Sequence, residues 1–170
     1  DRIEISNPGE PLVDVARLVD ASPRSRNEKL ASAMRLMRIC EERGSGWDRV
    51  AFQIELHQLP APIVVAEEGS MRVTMTAQHS LTKMTAEDKV RAVYLHACLR
   101  YVSNEHTNNA SIRERFSIDE KNKAVASRLI KDAVQKGAIK PYDPNVGARA
   151  IRYVPFWAGT VDEAVGFVDE

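Results

Sequence analysis

What this chain of 170 residues has little of bounds it first. It holds two cysteines, Cys40 and Cys98, far apart in sequence. Each sits inside an apolar helical pattern, so both read as buried free thiols in a reducing compartment, which makes the expected location cytoplasmic. No window approaches eighteen consecutive apolar residues, so no membrane span and no membrane partner are expected. No leader of charged and then apolar residues opens the chain, and the missing initial Met suggests a piece of a longer protein. His57, His79, His96 and His106 have no metal-ligand spacing with one another, and neither cysteine has a partner nearby, so no metal site is expected. A glycine-rich loop ending in Lys-Ser or Lys-Thr is absent, and no catalytic residue can be assigned. There are no internal repeats and no low-complexity tracts. What remains, 44% apolar and 28% charged residues, is ordinary for a globular protein.

Net charge is also lacking, with 24 basic and 24 acidic residues. The balance hides an uneven distribution. Residues 1–80 hold twelve acids and ten bases, and residues 155–170 hold four acids and no base. Residues 111–153 hold ten bases against five acids, a net charge of +5. A basic segment in an otherwise neutral-to-acidic chain is the electrostatic footprint of an anionic partner.

That basic segment also has the most legible pattern. Residues 111–116 read as a short helix, with Ser111 and Glu114 in capping-box spacing. After a break at Ser117 and Ile118, residues 119–136 read as a second helix. Its apolar stripe is Val125, Ala126, Leu129, Ile130, Ala133 and Val134, a period close to 3.6. Gly137 stands where a left-handed cap belongs. Residues 139–142 and 150–154 read as strands around a turn-rich tip at 143–147. Helix, turn, helix and hairpin in that order predict a winged helix-turn-helix that contacts double-stranded DNA.

The expected DNA-contacting residues are Lys121, Asn122, Lys123, Ser127, Arg128 and Lys131 on the second helix, with Arg149 and Arg152 beside the wing. A homodimer, or a larger parent protein, is expected to supply specificity. The competing reading is that such a domain serves only protein assembly. Upstream, Thr85 caps a helix with Val90, Val93, Tyr94, Ala97 and Tyr101 as its core stripe, ending in a polar loop at 104–109. Downstream, Trp157 is an apolar anchor. Val161, Ala164, Val165, Phe167 and Val168 suggest a short amphipathic helix in an acidic tail.

The first half reads as α/β. Residues 2–6 alternate as a strand that runs into a turn at Asn7, Pro8 and Gly9. Residues 10–26 read mainly as a loop, with a possible helix near Val13 to Leu18. Asn27 caps a helix expected to bury Leu30, Ala33, Met34, Met37 and Cys40, closed by residues 41–44. Gly44, Ser45 and Gly46 lead into another helix with Trp47, Val50, Ala51 and Ile54 on one face. Residues 63–66 and 71–75 form a hairpin around 67–70. A polar joint at residues 78–83 marks the expected domain boundary.

Three motifs of this half, taken in order, carry a resemblance. They are residues 1–9 through Asn7, Pro8 and Gly9, then Ser25, Arg26 and Asn27, then residues 42–49 around Gly44, Ser45, Gly46 and Trp47. Together they resemble a bacterial and archaeal family of transcriptional regulators often labelled RecG-like ATP-dependent DNA helicases. Its members resemble a Schlafen/AlbA-type domain, a divergent histidine-kinase-type ATPase domain and a C-terminal winged helix. The resemblance implies a first glycine motif at Asn7 and Gly9, a lid over residues 10–26, and a second glycine motif at Gly44, Ser45 and Gly46. In intact members an acid-and-asparagine helix before the first strand would hold metal and phosphates, and no such helix is present here. The expectation is therefore no cofactor for this fragment, with ATP and Mg bound only in a full-length parent. Helicase motifs are absent too, so helicase activity has no support in these residues.

The expected fold class is an α/β (α+β) partial ATPase-like domain followed by a winged helix-turn-helix. The expected domains are residues 1–77, a linker at 78–84, the winged helix at 85–157 and the tail at 158–170. The function that follows is a DNA-binding transcriptional regulator fragment. The alternatives are a nucleotide-dependent regulatory protein or an assembly module.

Overall fold

The computed structural model describes residues 1–40, 45–147 and 150–160. The fold is mixed α/β with small sheets and helices, in two compact units that meet between Ala77 and Gln78.

In the first unit, β1 (Arg2–Pro8), β2 (Ile63–Glu67) and β3 (Ser70–Thr76) make an antiparallel sheet in the order β1-β3-β2. Gly69, at φ +71°, closes the turn that pairs Glu67 with Ser70. Only glycine reaches that backbone region without a Cβ penalty. Arg72 spans the hairpin to Glu67 at 3.0 Å, an exposed pair of little energetic weight. β1 is an edge strand, and every one of its residues is exposed.

Between β1 and β2 lie a 3-10 turn (Val15–Arg17), α1 (Glu28–Leu36) and α2 (Ser45–Leu56). Asn27 caps α1 as expected, its side chain accepting from the Leu30 N–H at 2.9 Å. The expected extent and burial of this helix are wrong. It stops at Leu36 because Arg38 turns left-handed at φ 57°, and the Ile39 N–H returns to the Met34 carbonyl. No residue of α1 is buried, Leu30 is 55% exposed, and Cys40 lies beyond the helix as an exposed thiol. The reading of two buried cysteines therefore holds for Cys98 alone. In α2 the expected face is real, with Ala51 and Ile54 buried and Trp47 and Val50 half-buried.

The second unit begins with α3 (Ala86–Val102), where Thr85 and Asp88 form a reciprocal capping box. Its expected stripe is too narrow. Ala92, Val93, Leu95, His96, Ala97 and Cys98 are all buried, because α4 (Asn109–Arg115), α5 (Lys123–Gln135) and β5 (Tyr153–Pro155) pack around it. The next helix is capped one turn earlier than expected. Asn108, not Ser111, is the cap; it accepts from the Ser111 N–H at 3.0 Å, and the Ser111 hydroxyl accepts from the Asn108 N–H at 3.1 Å. The second helix also starts late, after a 3-10 turn at Glu120–Asn122.

α5 buries Ala126, Leu129, Ile130 and Ala133. The expected flanking strands shorten to β4 (Ile139–Pro141) and β5, which pair Ile139 with Pro155 and Pro141 with Tyr153. Residues 150–152 are not strand. Thr107, fully buried, exchanges both backbone hydrogen bonds with Tyr153, at 2.8 and 3.0 Å. That single bridge adds a third line to the small sheet. After β5, Phe156 stacks on Tyr94 while Trp157 donates its indole N–H to the Tyr94 hydroxyl at 2.8 Å and meets Tyr101 edge-on. The acidic tail expected from Val161 onward lies outside the described residues.

The five α-helices among the described residues end alike. A left-handed residue follows the C-cap, its N–H bonds three residues back, and the next N–H bonds five residues back, as in a Schellman motif. The left-handed residue is Arg38, Gln58, Asn104, Ser117 or Gly137, so only the end of α5 uses glycine.

Candidate functional site

The third helix of the second unit, α5, supplies the candidate interface. The buried stripe of α5 defines the opposite face by the 100° step per residue. Arg128 and Lys131 fall on that face, and both are exposed, as is Ser127 beside them. Lys123, the first residue of α5, is exposed too. Asn122 stands at the cap position without making a capping hydrogen bond. Lys121, in the 3-10 turn, pairs with Asp119 at 3.6 Å across open solvent. Such a pair is weak enough to exchange for another anion. Arg152 is exposed just ahead of β5. Arg149 lies outside the described residues.

Three of these residues meet across a groove of about 680 Å³. Ser127 and Lys131 line it from α5, and Arg152 lines it from the segment before β5. Arg128, one step round the helix, faces away from the groove lining. Asn109 and Arg113 of α4 add to the wall. The Asn109 side-chain amide donates to the Lys123 carbonyl and to the Ser127 hydroxyl, each at 3.0 Å. Its carbonyl oxygen accepts from Arg113 Nε at 3.2 Å. Neither residue stands out in the sequence, because only the packing of α4 against α5 brings them here. The one sequence signal is that Arg113 falls in the basic segment. Tyr153 also lines the groove, and burial pushes its phenol above the usual range, so it stays a neutral donor.

Near the hairpin, His106 packs against Tyr142 with ring centroids 4.2 Å apart. Burial, then the nearby Arg152 and Arg100 charges, hold its imidazole below the ordinary value of 6.5. Arg100 is itself engaged, donating to the His106 carbonyl and pairing with Glu105 at 3.0 Å.

The first unit has its own cavity, of about 490 Å³. Asn7 and Gly9 line it, with Arg24 and Arg26 from the following loop and Trp47 from α2. Gly9 adopts φ +94°, and a Cβ there would stand 3.3 Å from an Arg26 guanidinium nitrogen. Arg26 in turn donates to the Glu10 carbonyl, and the Gly9 N–H donates to the Gly69 carbonyl at 2.6 Å. Gly46 sits in the first turn of α2 and does not line the cavity. Ser45 opens that helix, and Gly44 lies outside the described residues. Among the described residues no cluster of three His, Cys, Asp or Glu side chains could hold a metal ion. No helix of the described residues is long and apolar enough to cross a membrane.

Residues 1–75 match a protein family described as "Putative ATP-dependent DNA helicase recG C-terminal". The match covers the first unit and stops short of the basic helix. No curated protein and no solved structure matches the chain. The first unit, with its three-stranded sheet and two helices, is consistent with part of an ATPase-like domain.

Proposed function

We propose that the second unit is a winged helix-turn-helix that binds duplex DNA, with α5 in the major groove and the β4–β5 hairpin as the wing. One observation carries the reading: the face of α5 opposite its buried stripe presents Arg128 and Lys131, with Lys123 and Ser127 beside them, all exposed. The element order supports it, since α3, the Thr107 bridge, α4, α5 and the hairpin follow one another as helix, strand, helix, helix and wing. On this reading the protein is a cytoplasmic transcriptional regulator, and a homodimer doubles the weak contact of one helix. Lys121, Lys123 and Lys131 grip phosphates, Asn122, Ser127 and Arg128 reach base edges, and Arg149 and Arg152 hold the flanking backbone.

The test is fluorescence anisotropy with random duplexes over a salt series. Four to six phosphate contacts, the order of magnitude such a face allows, make affinity fall steeply with salt. Arg128→Ala should weaken the preferred sequence by about 1–3 kcal/mol and relax preference at one base position. Arg152→Ala should weaken all sequences alike and lower the salt slope by about one. Absence of binding at low salt, or variants that bind like the parent, makes the domain an assembly module instead.

A second reading rests on the first unit. Asn7, Gly9, Arg24, Arg26 and Trp47 share one cavity within the segment that matches the ATPase-like family. A nucleotide-dependent regulator would use that cavity for phosphates, with Ser45 and Gly46 at the nearby helix start. Calorimetric titration with Mg-ATP separates the two readings. Micromolar binding favours the nucleotide regulator, and the DNA-binding reading expects none.

A further inference from the structure

We propose that the groove between α4, α5 and the segment entering β5 is a binding site for a small organic anion with an apolar body. This goes beyond the DNA reading, since it assigns a ligand of a different class to a groove that overlaps the proposed DNA contacts only in part. Charge is the first argument. Arg113, Lys131 and Arg152 converge on the groove, and no Asp or Glu is among its described lining residues. Three cations without a counter-charge make an anion the complementary ligand.

Preorganisation is the second argument. Asn109 bonds at once to the Lys123 carbonyl, to Ser127 and to Arg113 Nε, so the half-buried Arg113 is locked to α5 through one side chain. With Nε engaged, the terminal guanidinium nitrogens remain for a two-point hold on a carboxylate. Shape and polarity are the third. Ile130 and Val134 of α5 and Ile151 opposite them give the groove an apolar floor, which a bare phosphate has no use for. Its volume of about 680 Å³ lies within the usual span of small-molecule sites. Because Ser127, Lys131 and Arg152 also belong to the proposed DNA contacts, an occupied groove would compete with DNA.

The probe is salicylate, an aromatic ring bearing a carboxylate, titrated into the whole chain and followed by amide ¹H–¹⁵N correlation spectra. Saturable shifts confined to residues 108–113, 127–134 and 150–153 are expected. Arg113→Gln and Lys131→Gln should each weaken binding by about tenfold, the scale of one charge-assisted contact, in spectra whose dispersion shows an intact fold. Scattered or non-saturating shifts overturn the proposal, as does unchanged affinity in folded variants. Inorganic phosphate binding as tightly at the same amides also overturns it, since the apolar body would then contribute nothing. No DNA is present, so the two readings fail separately: duplex binding without salicylate binding sinks only this proposal, and the reverse sinks only the DNA reading.

Discussion

Replacing Gly137 with alanine tests the backbone logic of the second unit at one point. Gly137 ends α5 at φ +69°, and its N–H bonds to the Val134 carbonyl at 2.9 Å while the Ala138 N–H reaches Ala133 at 2.9 Å. A Cβ built at this position meets nothing within 4 Å, so packing plays no part in the outcome. What remains is the left-handed penalty of an L-residue, about 1–2 kcal/mol. The unfolded chain of the alanine variant has less conformational freedom to lose, which offsets roughly 0.4–1 kcal/mol of that. The net loss is therefore about 1 kcal/mol, or roughly 4–8 °C in Tm for a unit of this size. Gly137→Asn should lose less, because a short polar side chain tolerates this region. The assay is thermal and urea unfolding of the whole chain, followed through the transition of the second unit. An alanine variant as stable as the parent, or an asparagine variant less stable than the alanine one, refutes the reasoning.

The remaining predictions use other parts of the same structure. Leu129→Ala, at a position 6% exposed in the α5 stripe, should destabilise the second unit by about 2–5 kcal/mol, whereas Leu36→Ala, at 87% exposed, should change the melt little. Arg38→Gly should stabilise the first unit by a few tenths to about 1 kcal/mol in urea unfolding, since it relieves the left-handed residue that ends α1. His106 is held below 6.5 when folded, so the unfolded chain takes up a proton there first as the pH falls. Its contribution is complete above 6.5 and is lost as pH drops through the lower folded value. Urea midpoints across that window should fall with pH in the parent and fall less in His106→Gln.

The parts legible in sequence were those where a local rule and the tertiary outcome agreed. The α5 stripe of Ala126, Leu129, Ile130 and Ala133 read true because one side of that helix packs and the other meets solvent. The β2–β3 hairpin read true because Gly69 supplies the turn between alternating strands. Misreadings came where neighbours decided. α1 carries an apolar period as far as Cys40, but Arg38 takes a left-handed conformation that no propensity favours. α3 lacks a one-sided stripe because elements close round it. Asn108 was missed as a cap because Ser111 and Glu114 offered the same spacing one turn later. The Thr107 bridge is one residue long and leaves no periodic trace. Of the candidate site, the solvent face of α5 could be listed from sequence as residue types on a helix. The Asn109–Arg113 wall could not, because it exists only once α4 lies against α5.

The two tryptophans of the chain are divided one to each unit, Trp47 in α2 and Trp157 after β5. Each unit thus carries a single tryptophan of its own. Trp157 should be the more distinctive, since its indole is hydrogen-bonded to Tyr94 and set against Tyr101, close enough for excitation of tyrosine to reach it. In Trp157→Phe the remaining tryptophan emission belongs to the first unit, and in Trp47→Phe to the second. Native and denatured emission can then be assigned without labels, and a scan at two wavelengths distinguishes one cooperative melting event from two in succession.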